Sequence, residues 1–321
     1  MPTYTGTSGN DIIDNNGAAT FDVMNGLGGD DYLHGGEGND TLLGGDGNDT
    51  LIGDGGDDVV DGGPGEDMAS FEFAPISVTV DLSITTKQQT TIFPTSDTLI
   101  NIEDLRGGTA DDLLTGNLSA NAIYGGTGND TISDPGGKNY LRGEDGDDSI
   151  TGGQDFDDIN GNKGNDTIDG GSGGHDWLVG GQGNDLITGK QADILWGNLG
   201  NDTLHGGAAD AQLRGGQGDD SIAGGSGNEF ISGDRGNDTE SGGAGADIFH
   251  GSQDAGIDKV LDFNLAQGDR VELDPGTTYT LSQVGADTVI DMGASVGGAP
   301  NQMILVGVQL STLTPGWIFG A

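Results

Sequence analysis

Gly35-Gly36-Glu37-Gly38-Asn39-Asp40-Thr41-Leu42-Leu43 is followed at once by Gly44-Gly45-Asp46-Gly47-Asn48-Asp49-Thr50-Leu51-Ile52, two copies of one nine-residue unit, GGxGxDxUx with U apolar. The spacing has a mechanism. Glycines let the backbone curl so that its carbonyls face a cation, the aspartate adds a carboxylate, and the next three residues extend as a strand. One unit is then half a turn of a roll. A single match could arise by chance among 66 glycines, but about 23 units align at fixed spacing, most with Asp in sixth place.

Working outward, a first array over residues 1–70 has Asp11, Asp22, Asp31, Asp40, Asp49, Asp58 and Asp67 in sixth place, with Asn15 and Asn16 as a small insertion. Its eighth positions are Ile13, Met24, Leu33, Leu42, Leu51, Val60 and Ala69. Position eight inward, with seven and nine outward, is the period-two pattern of a strand, and stacking these side chains predicts a thin core.

A second array fills residues 107–250, with a one-residue insertion near His175 and a compensating deletion near Ala192. Two units per turn place alternate loops on opposite edges of the roll. One edge receives Asp112, Asp130, Asp148, Asp166, Asp185, Asp202, Asp220 and Asp238. The other receives Asn121, Asn139, Asp157, Asp176, Asp193, Ala211, Glu229 and Asp247, so every departure from Asp falls on one edge. The aspartates of both arrays are the candidate metal ligands. Gaps or weaker sites are expected at Asn121, which keeps an oxygen but loses the charge, at Asn139 for the same reason, and at Ala211, which loses both.

The outer faces differ too. Strands following the all-Asp edge carry small hydroxyls such as Thr131, Ser149 and Thr167, whereas the others carry Tyr124, Tyr140, Arg142, Trp177, Trp196, Arg214 and Phe230. These aromatics are scattered surface residues, cover for the flanking segments, or an interaction face of the kind rich in aromatics and Arg. Glu240 takes an inward eighth position where every other unit of this array has Leu, Ile or Phe. An unpartnered carboxylate there costs several kcal/mol, so a local distortion turning Glu240 toward the tail or solvent is expected.

Residues 71–106 break the period: Val78, Val80 and Leu82 alternate with polar residues, and a second candidate strand lies near residues 98–102, a β insertion that caps the first array or serves as a docking module. Beyond His250, residues 260–263, 271–273, 288–291 and 303–306 are candidate strands of a C-terminal β cap over residues 251–321.

Only 32% of residues are hydrophobic and the net charge is −43, a composition that by itself predicts disorder. Roughly 20 bound calcium ions would cancel the charge, making cation binding and folding one event. The acidity disfavours nucleic acid and anionic membranes as partners. The absence of cysteine excludes disulfides and thiolate metal sites. The first residues, Met1-Pro2-Thr3-Tyr4-Thr5-Gly6, show no cleavable export signal.

Enzyme signals are weak. Gly170-Gly171-Ser172-Gly173-Gly174 fits GxSxG, but it opens a repeat and lacks the strand-to-helix setting that gives the pattern meaning. His34, His205 and His250 fall at ninth, outward positions, His175 lies beside the insertion, and all four are expected to be ordinary surface residues. Paired carboxylates abound, yet their regularity suits a column of cations, whereas acid–base catalysis needs one unequal pair.

The repeats resemble the RTX family of secreted bacterial calcium-binding proteins. Asp97-Thr98-Leu99-Ile100-Asn101-Ile102-Glu103 is similar to the link between RTX blocks, and Gly245-Ala246-Asp247-Ile248-Phe249 with Asp258-Lys259-Val260-Leu261-Asp262-Phe263 is similar to the family's terminal module. The resemblance implies an all-β, parallel β-roll, secretion through a type I channel and an uncleaved signal in the C-terminal cap. Relatives often carry a catalytic module ahead of the repeats, and repeats that begin at Gly6 leave no room for one. The expected function is a non-enzymatic, extracellular or cell-surface calcium-binding protein that folds on calcium and assembles into a surface layer or matrix. Its alternative is a calcium-dependent binding module for a partner protein or an acidic polysaccharide.

Overall fold

A computed structural model of the chain describes residues 1–320 apart from 16–18, 89, 91–94, 253–254, 295–297 and 299; Asn16 of the first insertion and the terminal Ala321 lie outside the described residues. The described chain is short strands with one 3-10 turn, Leu310–Thr312, and no helix long and apolar enough to cross a membrane. Nearly all pairing is parallel, between residues one full turn apart. Val23–Gly28, for example, pairs with Thr41–Asp46 so that Met24 faces Leu42. The architecture is the all-β, parallel β-roll expected from the repeats. It forms two compact units, Met1–Gln154 and Asp155–Ala321.

In the first unit, Thr3–Thr5, Val23–Gly28, Thr41–Asp46, Val59–Asp61 and Thr98–Ile100 make one row of strands. Ile12–Asp14, Tyr32–Glu37, Thr50–Gly55, Met68–Ser70, Asp104–Arg106, Ala122–Thr127 and Tyr140–Asp145 make another. Thr79–Asp81, Leu113–Thr115, Thr131–Ser133 and Ser149–Thr151 make the third. Eighth-position side chains stack along each row, Leu33 over Leu51 and Ile123 over Leu141. From Met24 to Ile150 these residues are no more than 3% exposed. One apolar side chain per strand makes most of the core, and its thinness follows directly from the period.

Residues 71–106 join these rows. Thr98–Ile100 pairs with Val59–Asp61, Thr79–Asp81 with Leu113–Thr115, and Asp104–Arg106 lies between Met68–Ser70 and the strand bearing Ile123. The same segment lays Phe73 over the outward face of the first array, with its ring stacked on His34 at 5.3 Å. His34 is therefore not the surface residue its ninth position predicts. It is 1% exposed, with Nε2 2.6 Å from Asp54 and Nδ1 3.2 Å from Asp14. Ile52, on the same outward face, is covered as well.

In the second unit one row runs Asp158–Lys163, Trp177–Gln182, Ile194–Leu199, Gln212–Gln217, Phe230–Arg235, Ile248–Gly251, Arg270–Leu273 and Ile318–Phe319. The other runs from Thr167–Asp169 through Leu186–Thr188, Thr203–Gly207, Ser221–Gly225, Thr239–Gly243 and Ile257–Val260 to Pro300–Leu305, where Asp287–Ala294 and Thr280–Val284 add antiparallel. The tail thus builds onto the last repeats. Its first strand is Ile257–Val260 rather than 260–263, because Asp258-Lys259-Val260 repeats the D-x-U half of the nonapeptide. Thr280–Val284 is exposed throughout and has no alternation to announce it. Phe249, Phe263 and Trp317 pack with ring centroids 6.2 and 6.0 Å apart.

Glu240 departs from expectation. It does not turn away; it stays in register between Ile222 and Val260 and is 0% exposed. The strand ladder on both sides holds the backbone in place, so the side chain has no route out. Its Oε1 accepts the Gly233 N–H at 2.8 Å, Oε2 has no hydrogen-bond partner, and burial, reinforced by Asp258 and Asp238, raises its pKa well above the ordinary value.

Candidate metal centre

The loops between strands share one arrangement. At most loops the backbone N–H of the sixth-position residue donates to Oδ1 of the sixth-position carboxylate one turn later. In the first unit Asp31 donates to Asp49, Asp40 to Asp58 and Asp49 to Asp67, each within 2.8 Å. In the second unit Asp166 donates to Asp185 and Asp202 to Asp220. The ladder survives the one-residue insertion and deletion: Asp157 to Asp176 spans 19 residues and Asp176 to Asp193 spans 17, both at 2.9 Å. The compensation read from the sequence therefore keeps every later loop in phase.

In many of these carboxylates the second oxygen is left unused. Oδ2 of Asp31, Asp40, Asp49, Asp58, Asp67, Asp130, Asp176, Asp202 and Asp220 is buried with no hydrogen-bond partner. An unmet buried oxygen costs about 1–3 kcal/mol, more when charged. The oxygens point at the first glycine of their own unit. A Cβ on Gly35 would lie 2.6 Å from Asp40 Oδ2, and one on Gly125 would meet both Asp130 Oδ2 and, at 2.6 Å, the carbonyl of Gly143. Glycine is needed there because anything larger would fill the space between a carboxylate oxygen and a carbonyl oxygen. The fourth-position glycines, such as Gly38 (φ 137°) and Gly146 (φ 147°), sit in backbone conformations that side chains disfavour.

The carboxylates of the ladder are crowded and largely desolvated. Burial is the main cause that lifts the pKa of Asp58 and Asp220 to about 8, Asp176 to about 7 and Asp67 and Asp130 to about 6; donors from the preceding turn oppose it and neighbouring carboxylates add to it. An oxygen-only donor set of carboxylates and carbonyls suits a hard cation of flexible coordination, calcium above all. No three His, Asp or Glu side chains among the described residues close on one point, so carbonyls must contribute to every site.

The candidate ligands are not all alike. Asp11 Oδ2 accepts from Thr7, Asp112 Oδ2 from Gly108 N–H at 2.6 Å, and Asp193 Oδ2 from the N–H groups of Lys190 and Gln191 at 2.8 and 3.0 Å. Asn121 Nδ2 donates to the carbonyls of Glu103 and Ala120, and Asn139 Nδ2 lies 3.4 Å from those of Gly136 and Gly137. Ala211 is buried against Gly206. Glu229 keeps the sixth place, and burial beside Asp247 raises its pKa to about 8.

Four further members of the ladder lie outside the glycine repeats. Asp58 N–H donates to Asp97, Asp67 to Glu103, Asp238 to Asp258 and Asp247 to Asp269. Three of them announce themselves by D-x-U alone: Asp97-Thr98-Leu99, Asp258-Lys259-Val260 and Asp269-Arg270-Val271. The glycine half of the unit is dispensable for the ladder.

The family profile of the RTX calcium-binding nonapeptide repeat matches residues 5–42, 16–51, 34–69, 101–132, 136–168, 152–187, 170–204, 188–213, 205–240 and 241–257. No curated protein matches the chain in sequence. Among solved structures, the extracellular lipase LipA from Serratia marcescens is similar at 21% identity and a TM-score of 0.32, over 68% of this chain and 40% of the lipase. The AlgE6R3 subunit of the Azotobacter vinelandii mannuronan C5-epimerase is similar at 27% identity and a TM-score of 0.30, over 40% of this chain and 80% of that one. This chain thus spans well under half of the lipase. It belongs to the RTX calcium-binding nonapeptide repeat family and binds calcium at multiple sites.

Proposed function

We propose that the chain is a secreted protein whose roll closes on extracellular calcium, with the sixth-position aspartates as ligands, and that the closed roll acts structurally in a surface layer or matrix by calcium-dependent assembly. The supporting observation is the row of buried carboxylates with one oxygen bonded and the other bare. In a low-calcium cytosol those groups repel, and the chain stays open and threadable for a type I channel, with its signal in the cap. Outside, at roughly millimolar calcium, the loops close. A cation at each bare oxygen replaces repulsion with coordination, and the adjacent strand then has a fixed loop to start from.

A calcium titration followed by far-UV circular dichroism, light scattering and electron microscopy tests this. Strand signal should rise first and ordered particles should follow; folding without particles at any concentration would remove the assembly role. A second reading, a calcium-dependent binding module, is favoured by an open groove of about 900 Å3 on the second unit, lined by Asn162, Gln182, Asn198, Gln217, Asp234 and Asp274 among others. Ser232, His250 and Asp274 approach one another beside it, but the Ser232 hydroxyl is buried and donates to Asp234 at 2.6 Å, so it is not available as a nucleophile.

A further inference from the structure

In the second unit, the row that holds Pro300–Leu305 ends in a strand with one side open. Thr280–Val284 pairs antiparallel with Asp287–Ala294 and, among the described residues, with no other strand. Val284 faces Asp287 across the two-residue turn Gly285-Ala286, with Gly285 in the first turn position at φ 65°. In such a hairpin alternate residues exchange backbone bonds. Thr280, Ser282 and Val284 therefore bond inward, while Leu281 and Gln283 turn N–H and C=O to the free edge. No backbone group among the described residues meets them there. The Gln283 side chain is held elsewhere, donating to the Asp287 carbonyl at 2.9 Å and accepting the Leu310 N–H at 2.6 Å.

Proteins ordinarily blunt such an edge with charge, proline or a bulge. This strand, Thr-Leu-Ser-Gln-Val, has none of them: its ladder to Asp287–Ala294 is regular, and all five residues are exposed, Val284 at 59%. Charge says what can lie against it. The chain carries −43, so most of its surface repels a second copy, yet residues 275–321 hold only Asp287 and Asp291 as charged side chains. Both already accept backbone N–H groups, from Gly307 and Gly293 respectively.

We propose that this edge pairs with the same strand of a second copy, antiparallel about a two-fold axis that sets Ser282 opposite Ser282. Leu281 of each copy then exchanges both backbone bonds with Gln283 of the other. The Asp287–Ala294 strands of the two copies end about 14 Å apart, three strand spacings, beyond the screening length of about 10 Å at 0.1 M salt. Five residues a side make an interface well under the roughly 800 Å2 per partner of a stable complex, so the dimer is weak. An isologous contact closes on itself, and it supplies the two-fold of a larger assembly rather than its propagation. The proposal rests on the calcium-folded roll and deepens the assembly reading, because the hairpin is seated on Pro300–Leu305 and through it on Ile257–Val260.

The chain has no cysteine, so a single one reports the contact without background. The full chain in calcium is used throughout, with circular dichroism and the calcium midpoint of folding checked for every variant. A Ser282 pair without backbone bonds between its members has a Cα separation of about 4.5 Å, which suits a disulfide. Ser282→Cys should cross-link two copies under mild oxidation at least about tenfold faster than Ser226→Cys, an exposed control on a repeat loop. Sedimentation up to about 1 mM should show a reversible dimer of the parent chain. The dimer should be lost in Leu281→Pro, which removes an outward donor but none of the hairpin's own bonds, and in Ser282→Lys, which sets like charges opposite each other. Equal cross-linking at both cysteines, or a dimer untouched in the folded variants, would overturn the proposal. So would a monomer throughout, which leaves the edge to a strand of another protein. The layer is judged separately: a dimer with no larger particles supports this contact and removes the layer, whereas particles without a Ser282→Cys cross-link keep the layer and overturn the contact.

Discussion

Asp130 and Asn139 occupy the same place in the nonapeptide on opposite edges of the first unit, and they solve one problem in opposite ways. Asp130 presents a bare, buried Oδ2 toward a glycine and a carbonyl. Asn139 turns Nδ2 toward the carbonyls of Gly136 and Gly137, and Asn121 does likewise at 2.7 Å to Glu103. An amide N–H takes over the carbonyls that a cation would otherwise gather. These two loops therefore differ by one atom: the first needs an ion to close, and the second closes itself.

The largest expected effect comes from removing the ion. In chelator at neutral pH the strand signal should collapse, and a spectrum unchanged by calcium would break the comparison at its root. Protons should substitute. Asp58 and Asp220 titrate near 8 in the metal-free fold against an ordinary 3.8, so folding takes up protons. That contribution to stability is fully present below about pH 4 and is lost as pH rises through about 8. Circular dichroism in chelator should show strand at acid pH and its loss toward pH 8. With calcium the order reverses, because coordination needs the ionised carboxylate.

Asp130→Ala and Asn139→Ala separate the two kinds of loop directly. The first should lower calcium stoichiometry and raise the folding midpoint in calcium at least about tenfold, since it removes a charged ligand. The second should leave stoichiometry intact and cost only about 1 kcal/mol from lost hydrogen bonds. Equal losses in equilibrium calcium binding would mean that Asn139 coordinates. The gain-of-site experiment is sharper: Asn121→Asp/Asn139→Asp removes the amide donors and frees their carbonyls, and should add calcium. A double variant that binds no more calcium than the parent would show that edge to be closed for another reason.

Most of this was legible because the period is rigid. Once Met24 faces inward, every eighth position must, and the 19- and 17-residue spans around Asp176 show how narrowly the phase is kept. What escaped are contacts made across the chain. His34 reads as surface until Phe73, from a segment with no repeat, covers it. Asp97 and Glu103 were visible as residues but not as ladder members, since the glycines that mark a loop are missing there. The groove on the second unit is invisible for a related reason: it follows second positions held at positive φ, such as Asn162 and Asn198, which is backbone geometry that no apolar side-chain pattern records.

A further effect of comparably small size is expected at Glu240, where a carboxylic acid sits in the core itself. The strand ladder fixes its Cα between Ile222 and Val260, so distortion is not an outlet, and one oxygen remains unmet. Desolvation and the nearby carboxylates of Asp258 and Asp238 favour the protonated form. A neutral acid of this kind still leaves polar surface in an apolar stack, whereas leucine fills the same column with the side chain its neighbours use. Glu240→Leu should therefore raise stability in calcium by about 1–2 kcal/mol by thermal unfolding. Glu240→Gln should fall between, keeping the Gly233 hydrogen bond and adding an N–H beside Asp238 and Asp258. If instead the leucine variant loses stability and one bound calcium, Glu240 is a ligand, and the core position belongs with the ion-dependent edge.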